Sequence, residues 1–309
     1  PGTIYKTDNS QTYVAATGQN IDITGDGATF TTTNDNIAFN TAGVVLGGDV
    51  VISTGAGTGN VDFSSTLTGS YDLDISSGSG NVIITGNIGL GGTPLTSLDI
   101  NQTGGTGDIT ISGNIGDSTT SGAGIVRIGN DSNTGTITFG TSGTAGDYFT
   151  TGAQTYIADG YALIGTDPDF NASSENIKFE DGNNGMTLAT ASDLTVDTGS
   201  GADGDIVIEA PITGTSDSST TTITIEAGSG SVSVAGMSTD IGDVTIDGSG
   251  GVTLNGDITT TDGNIDINEA TTLGAAVSLS TSGGSVDFAS TIDGANNDLD
   301  ISTGSGSVS

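Results

Sequence analysis

Residues Val44–Val82 read VVLGGDVVISTGAGTGNVDFSSTLTGSYDLDISSGSGNV, and residues Thr271–Val308 read TTLGAAVSLSTSGGSVDFASTIDGANNDLDISTGSGSV. Laid over one another, the two segments place Phe63 on Phe288. In both, apolar residues fall at alternate positions in short bursts, and each burst is set off by Gly, Asn, Asp or Ser. Period two bounded by turn residues is the pattern of a β-strand with one face buried. The same pattern recurs at Ile21/Ile23, Ile37/Phe39, Leu98/Ile100, Ile109/Ile111, Ile137/Phe139, Val252/Leu254 and Ile265/Ile267. A helical 3.6-residue period is nowhere sustained, so almost no helix is expected. Glycines such as those of Gly78-Ser79-Gly80 and Gly228-Ser229-Gly230 suit tight corners, where a Cβ is costly.

A third, more divergent copy starts at Leu188 and places Ile208 on Phe63, Ile212 on Leu67 and Val232 on Val82. The equivalent leucines are Leu46, Leu188 and Leu273, 142 and 85 residues apart. The repeat is therefore modular but irregular, as though whole strands were gained or dropped between copies. A second repeated feature is Gln11-Thr12-Tyr13 and Gln154-Thr155-Tyr156, each followed by Asn-Ile-x-Phe at Asn36–Phe39 and Asn176–Phe179. Residues 1–309 read as one elongated array, with module copies near 44–139, 187–267 and 271–309. The final copy stops inside an expected strand and Pro1 stands where an initiator Met would, so a window on a longer chain is expected.

Two all-β architectures accommodate many short strands: a parallel β-solenoid (β-helix), or a string of small β-sandwich domains. Sandwiches want longer strands and a few large core residues; this chain has no Trp. A solenoid wants short strands, small corner residues and a narrow Val/Ile/Leu core stacked rung on rung, and it is the expected fold. At about 20–28 residues per coil and about 4.8 Å per rung, the chain makes roughly 11–15 coils and a rod of roughly 50–75 Å. An uncapped coil exposes unpaired strand edges, which points to end-to-end or lateral self-assembly.

Composition excludes whole classes of function. The 309 residues contain no Cys and no His, which removes His/Cys metal sites, Ser-His-Asp and Cys-His nucleophiles, and disulfides. Against 37 acidic residues stand three cations, Lys6, Arg127 and Lys178, for a formal charge of -34. Such a chain does not neutralise a phosphate backbone or an anionic membrane surface, so nucleic acid is not an expected partner. The richest apolar stretch, Gly43–Ile52, is far too short for a transmembrane segment.

The two segments quoted above, together with VIITGNIGLGGTPLTSLDI (Val82–Ile100) and the recurring Gln-Thr-Tyr, resemble the repeat regions of giant bacterial surface adhesins of the filamentous-haemagglutinin and β-strand-repeat type. That resemblance implies a secreted β-helical stalk at the bacterial cell surface, holding cells to surfaces, to polysaccharide or to other cells. Neither the secretion domain of such proteins nor a tandem GGxGxDxUx calcium array is recognisable here.

No catalytic residues are expected, and the alternative reading, a β-helical polysaccharide-binding or polysaccharide-degrading protein, rests on carboxylates alone. Pairs such as Asp203/Asp205, Asp298/Asp300 and Glu175/Glu180 could serve a glycosidase, but none stands out among so many acids. Ca²⁺ or another divalent cation is the candidate cofactor, because Asn130–Gly135, Asp181–Asn184 and Asp197…Asp203-Gly204-Asp205 offer hard oxygen ligands. Against this, Asp and Asn also serve turns directly. Thr31–Thr33 and Thr220–Thr222 lack the constant period of an ice-binding face, and Asn101, Asn130 and Asn171 are N-glycosylation matches of the kind chance supplies. Lys178 reads as a surface partner for Glu175 or Glu180, and Phe39, Phe63, Phe139, Phe179 and Phe288 read as core plugs.

Overall fold

The structure, a computed structural model, describes all residues except 1, 17, 118–121, 190–191, 200–203 and 216–220. Among the described residues there is no helix, and short strands succeed one another along the whole chain. They stack in parallel as a β-solenoid of about 12 turns, within the expected range, and the sandwich alternative falls with that parallel pairing. The chain divides into two compact units, Pro1–Thr141 with Gly146–Asp159, and Ser142–Ala145 with Gly160–Ser309.

In the amino-terminal unit each turn visits three faces. The first stacks Ile4–Lys6, Ala28–Thr31, Val50–Ser53, Asp72–Ser76, Ser97–Ile100, Ile125–Gly129 and Gln154–Ala158. The second stacks Gln11–Val14, Ile37–Asn40, Val61–Phe63, Val82–Ile84, Ile109–Ile111 and Thr136–Phe139. The third begins with Ile21–Ile23, Val44–Leu46 and Leu67–Thr68 and continues as single-residue bridges through Ile88, Ile115 and Tyr148.

The carboxy-terminal unit has the same plan. One face stacks Ile177–Asp181, Ile206–Ile208, Val232–Val234, Val252–Leu254, Thr271–Leu273 and Ile292–Asp293. A second stacks Gly160–Leu163, Met186–Leu188, Ile212–Thr213, Met237–Ser238, Ile258–Thr260, Val277–Thr281 and Leu299–Ser302. A third stacks Thr166–Ala172, Leu194–Asp197, Ile223–Glu226, Val244–Asp247, Ile265–Ile267 and Val286–Phe288, with a bridge to Val308. Turn length varies: Val252 pairs with Thr271, 19 residues on, and Ile177 with Ile206, 29 on.

Alternation explains the core. Ile37, Val61, Val82, Ile109 and Ile137 lie over one another in register and are fully buried, while the residues between them face outward. Each rung covers its neighbour's apolar residue, so burial is shared between turns and no turn is complete alone. The phenylalanines expected as plugs are fully buried at positions 39, 63, 139 and 179, whereas Phe288 is only half-buried.

The corners carry a repeated polar device. A buried hydroxyl donates to a glycine carbonyl a few residues on, as in Ser77 Oγ to Gly80 (2.7 Å), Thr54 Oγ1 to Gly59 (2.7 Å), Thr260 Oγ1 to Gly263 (2.6 Å) and Thr281 Oγ1 to Gly284. The glycines themselves stack: a Cβ on Gly80 would lie 2.1 Å from the Gly59 carbonyl oxygen, and one on Gly284 2.0 Å from that of Gly263. Only glycine fits such a column. Where Asn or Asp stands just before the next strand, as after Gly59, Gly80 and Gly107, its side-chain oxygen accepts the backbone N–H of its counterpart one turn on. Asn60 N donates to Asn36 Oδ1 (2.8 Å), Asn81 N to Asn60 Oδ1 (2.9 Å), Asp108 N to Asn81 Oδ1 (3.1 Å) and Thr136 N to Asp108 Oδ1 (2.9 Å).

The sequence copies do not return to the same face. Within the carboxy-terminal unit, Leu188 lies on the face of Leu299–Ser302, whereas its equivalent Leu273 lies on the face of Ile292–Asp293. Ile208 and Phe288 are likewise one face apart. Within the amino-terminal unit, Gln11 lies on the second face and Gln154 on the first. The repeated module is thus a run of strand-and-corner pieces that any face accepts, which accounts for copies spaced by non-integral numbers of turns.

Candidate functional site: a rung-spaced acidic face

The sequences Leu194-Thr195-Val196-Asp197, Ile223-Thr224-Ile225-Glu226 and Val244-Thr245-Ile246-Asp247 form three consecutive rungs of one face in the carboxy-terminal unit. Their Leu, Ile and Val residues are buried, so alternation sends the threonines and the acids outward in two columns. The acidic column Asp197, Glu226 and Asp247 borders a concavity of about 460 Å³ that Gly199, Gly228, Ser229 and Ser249 complete. Asp197 is held in place: Oδ1 accepts the Gly199 N–H (2.6 Å) and Oδ2 the Asn171 amide (3.2 Å). Ser249 Oγ donates to the Gly228 carbonyl (2.7 Å). Glycine and serine corners give the concavity a shallow, hydroxylated wall with no aromatic ring. A larger concavity of the same unit, about 630 Å³ and lined by Ile164, Gly165, Thr166, Ala189 and Thr215 with Ser142 and Gly143, contains no carboxylate.

Like charges also stack elsewhere. Asp266 is in register with Asp287, and burial, then Asp287 and Asp243, push its carboxyl above the usual range. Burial raises Asp62, and it raises Asp74 together with the neighbouring Asp99. Asp205 is shifted the other way, because the backbone N–H and the hydroxyl of Ser231 both donate to its carboxylate (2.8 Å each). Arg127 lies one rung from Asp99 in exact pairing register and binds it with two bonds, Nε–Oδ1 2.5 Å and Nη2–Oδ2 2.7 Å.

Of the carboxylate pairs singled out in the sequence, Asp298 and Asp300 border, together with Asp257, a concavity of about 320 Å³. Asp203 and Thr220 lie outside the described residues. Asp298 and Asp300 are exposed on the outward side of Leu299–Ser302, and Glu175 is exposed at a corner. Glu180 pairs with Lys178 (3.6 Å), the surface pair expected. In the loops proposed for Ca²⁺, oxygens are committed to the fold: Asn130 Oδ1 accepts Ser132 N (2.8 Å), Asn133 Oδ1 accepts Gly135 N (3.1 Å), and Asp181 Oδ1 accepts the Asn183 amide (2.5 Å). Among the described residues no group of three or more acidic side chains is arranged to hold a metal ion. The three glycosylation matches use their amide nitrogens internally, Asn101 on Ser77 Oγ, Asn130 on the Asn101 and Gly105 carbonyls, and Asn171 on Asp197. Thr32 is buried with its hydroxyl on the Asp35 carbonyl.

Sequence reasoning missed the Thr-x-acid column. Its signal was present, as Thr-Val-Asp, Thr-Ile-Glu and Thr-Ile-Asp at spacings of 29 and 21 residues, but unequal turn lengths concealed that the three tripeptides are neighbours. The chain matches no protein-family model, no curated protein and no solved structure.

Proposed function

We propose that this chain is a structural, non-enzymatic segment of an extracellular bacterial rod or filament, working through adhesion, cohesion or fibre assembly. The observation that carries the reading is the distribution of its polar chemistry. Hydroxyls, amides and carboxylates recur turn after turn as rung-to-rung hydrogen bonds and outward rows, instead of gathering at one place. A surface of this kind offers many weak, equivalent contacts, the basis of multivalent attachment. With a formal charge of -34, neighbouring copies repel one another. Divalent cations bridging their acidic rows are therefore part of the proposal, as a diffuse effect and not as one site. Turbidity and electron microscopy test it: Ca²⁺ at millimolar concentration is expected to bundle the protein and excess chelator to disperse it. Dispersed particles at every Ca²⁺ concentration would remove cation bridging.

The acidic concavity at Asp197, Glu226 and Asp247 favours a second reading, a β-helical polysaccharide-binding or polysaccharide-degrading protein. Release of reducing ends from a panel of neutral and acidic polysaccharides, abolished by Glu226→Gln, would establish it; no release would leave the structural reading in place.

A further inference from the structure

Residues 166–170 read Thr-Asp-Pro-Asp-Phe, and Asp167-Pro168 is the one Asp-Pro pair in the sequence. A proline nitrogen makes a tertiary amide, and the proline ring crowds the residue before it, which is thereby held to extended backbone. Asp167 departs from that rule. Its φ is 48°, in the left-handed region that a residue with a Cβ enters at a cost.

The carboxy-terminal unit holds Asp167 in this conformation from several sides. Its N–H donates to Ser192 Oγ (2.9 Å), and the fully buried Ser192 donates in turn to the Gly165 carbonyl (3.0 Å). Asp167 Oδ1 accepts the Asp193 N–H (3.0 Å), and the preceding Thr166 donates its N–H to the Thr144 carbonyl (2.8 Å). On the other side Pro168 and Phe170 are buried in the strand Thr166–Ala172, whose Phe170 is in register with Val196. Asp167 itself is exposed, so water reaches it.

The same corner on later rungs lacks this strain. Asp193 Oδ1 accepts the Thr222 N–H (2.6 Å) and Asp243 Oδ1 the Asn264 N–H (2.8 Å), stitches of the kind Asp167 makes to Asp193. Asp193 is followed by Leu194 and Asp243 by Val244. Of these three acids, Asp167 alone has positive φ and alone precedes a proline.

A carboxylate on the residue whose own peptide bond is strained is a built-in nucleophile. We propose that the Asp167–Pro168 bond is a self-cleavage site. A side-chain oxygen of Asp167 attacks the Asp167 carbonyl carbon and closes a five-membered cyclic anhydride. The C–N bond to Pro168 breaks, and the proline nitrogen takes a proton from solvent and leaves as a secondary amine. One water then opens the anhydride, giving Asp167 its side-chain carboxyl and a new α-carboxyl. The sum is one peptide bond hydrolysed by one water. As the C–N bond lengthens, the proline ring no longer crowds Asp167, so strain present in the folded ground state is released toward the transition state.

The cut nicks the solenoid without parting it. Gly160–Leu163, ahead of the bond, pairs in parallel with Met186–Leu188, beyond it, so a ladder still joins residues 1–167 to residues 168–309.

Mass spectrometry of the 309-residue chain, incubated in mildly acidic buffer in which circular dichroism shows it folded, tests the site. Two products are expected, one ending in Asp167 and one starting at Pro168, formed about tenfold faster by the folded chain than by the same chain in urea at the same pH, as relief of strain at one residue implies. The nicked protein is expected to sediment as one particle and to run as two bands under denaturing electrophoresis. Asp167→Asn, which lacks the carboxyl nucleophile, is expected to stay intact at this bond. Asp167→Glu, which needs a six-membered anhydride, is expected to be cut about tenfold more slowly. Both variants are also compared with wild type in urea, where their ability to fold does not matter. A folded chain that stays whole, cutting no faster than in urea, or cutting undiminished in Asp167→Asn overturns the proposal; pieces that separate without denaturant overturn the paired nick.

Discussion

At the residue scale the corners decide what the sequence can vary. Gly283 and Gly284 are adjacent, yet a Cβ on Gly283 would meet Asp262 Oδ1 and Ser305 Oγ at ordinary contact distances, 3.6 and 3.7 Å, while one on Gly284 would overlap the Gly263 carbonyl. Gly284→Ala is expected to destabilise the protein by about 1–3 kcal/mol, the usual cost of overpacking, and Gly283→Ala to leave the urea midpoint nearly unchanged. Equal midpoints for the two variants would contradict the stacked-glycine column. Charge follows a similar local logic. Asp266 has its folded pKa raised above the unfolded value near 3.8, so its penalty is absent below that value and grows as pH rises through the folded pKa. Asp266→Asn is therefore expected to raise the thermal midpoint at pH 7 and to have no effect near pH 3. Asp205 has the opposite sign: its stabilisation is present above the unfolded value and is lost as pH falls through the lowered folded pKa.

At the scale of a strand and its corner, each piece contributes a buried apolar pair, a capped carbonyl and an Asn or Asp stitch to the next rung. The Gln-Tyr bridge is a specialised version of this piece. Replacing Gln154 by Leu removes both the acceptor of the Tyr156 hydroxyl and the donor to the Tyr148 carbonyl inside a fully buried cluster. A loss of about 1–3 kcal/mol per group deprived of its bond is expected, read from the urea midpoint. Gln11→Leu, where Gln11 is buried but its tyrosine partners Tyr5 and Tyr13 reach solvent, is expected to cost clearly less, and equal losses at the two sites would contradict that difference in tyrosine exposure. This scale is also where the sequence is most legible. Period-two bursts identify strands such as Val61–Phe63 and Ile109–Ile111, and the Gly-Ser-Gly corners lie where the chain turns. Ladders of Asn between rungs are what a stacked solenoid leads one to expect, but which Asn or Asp stitches to which residue was not legible, because each bonds to a residue 21–29 positions away whose rung neighbour depends on variable turn length.

At the scale of the whole molecule, three faces built from one kind of piece make the copies at Leu188 and Leu273 interchangeable in pattern but different in direction. The sequence displays the module and conceals the face, since a Val-x-Ile strand fits any of the three equally well. The acidic column of Asp197, Glu226 and Asp247 was hidden for the same reason. Uniformity has an electrostatic consequence: with 37 acidic and three basic residues, repulsion spreads over the entire surface. Raising NaCl from 10 mM, where the Debye length is about 30 Å, to 1 M, where it is about 3 Å, is expected to increase the thermal midpoint; an unchanged midpoint would mean that the outward acids are too well solvated to matter. The most direct test of a structural, self-joining solenoid is cryo-electron microscopy of the concentrated protein. The expected result is filaments or Ca²⁺-dependent bundles whose copies show stacked rungs about 4.8 Å apart. Dispersed single copies at every protein and Ca²⁺ concentration would contradict it.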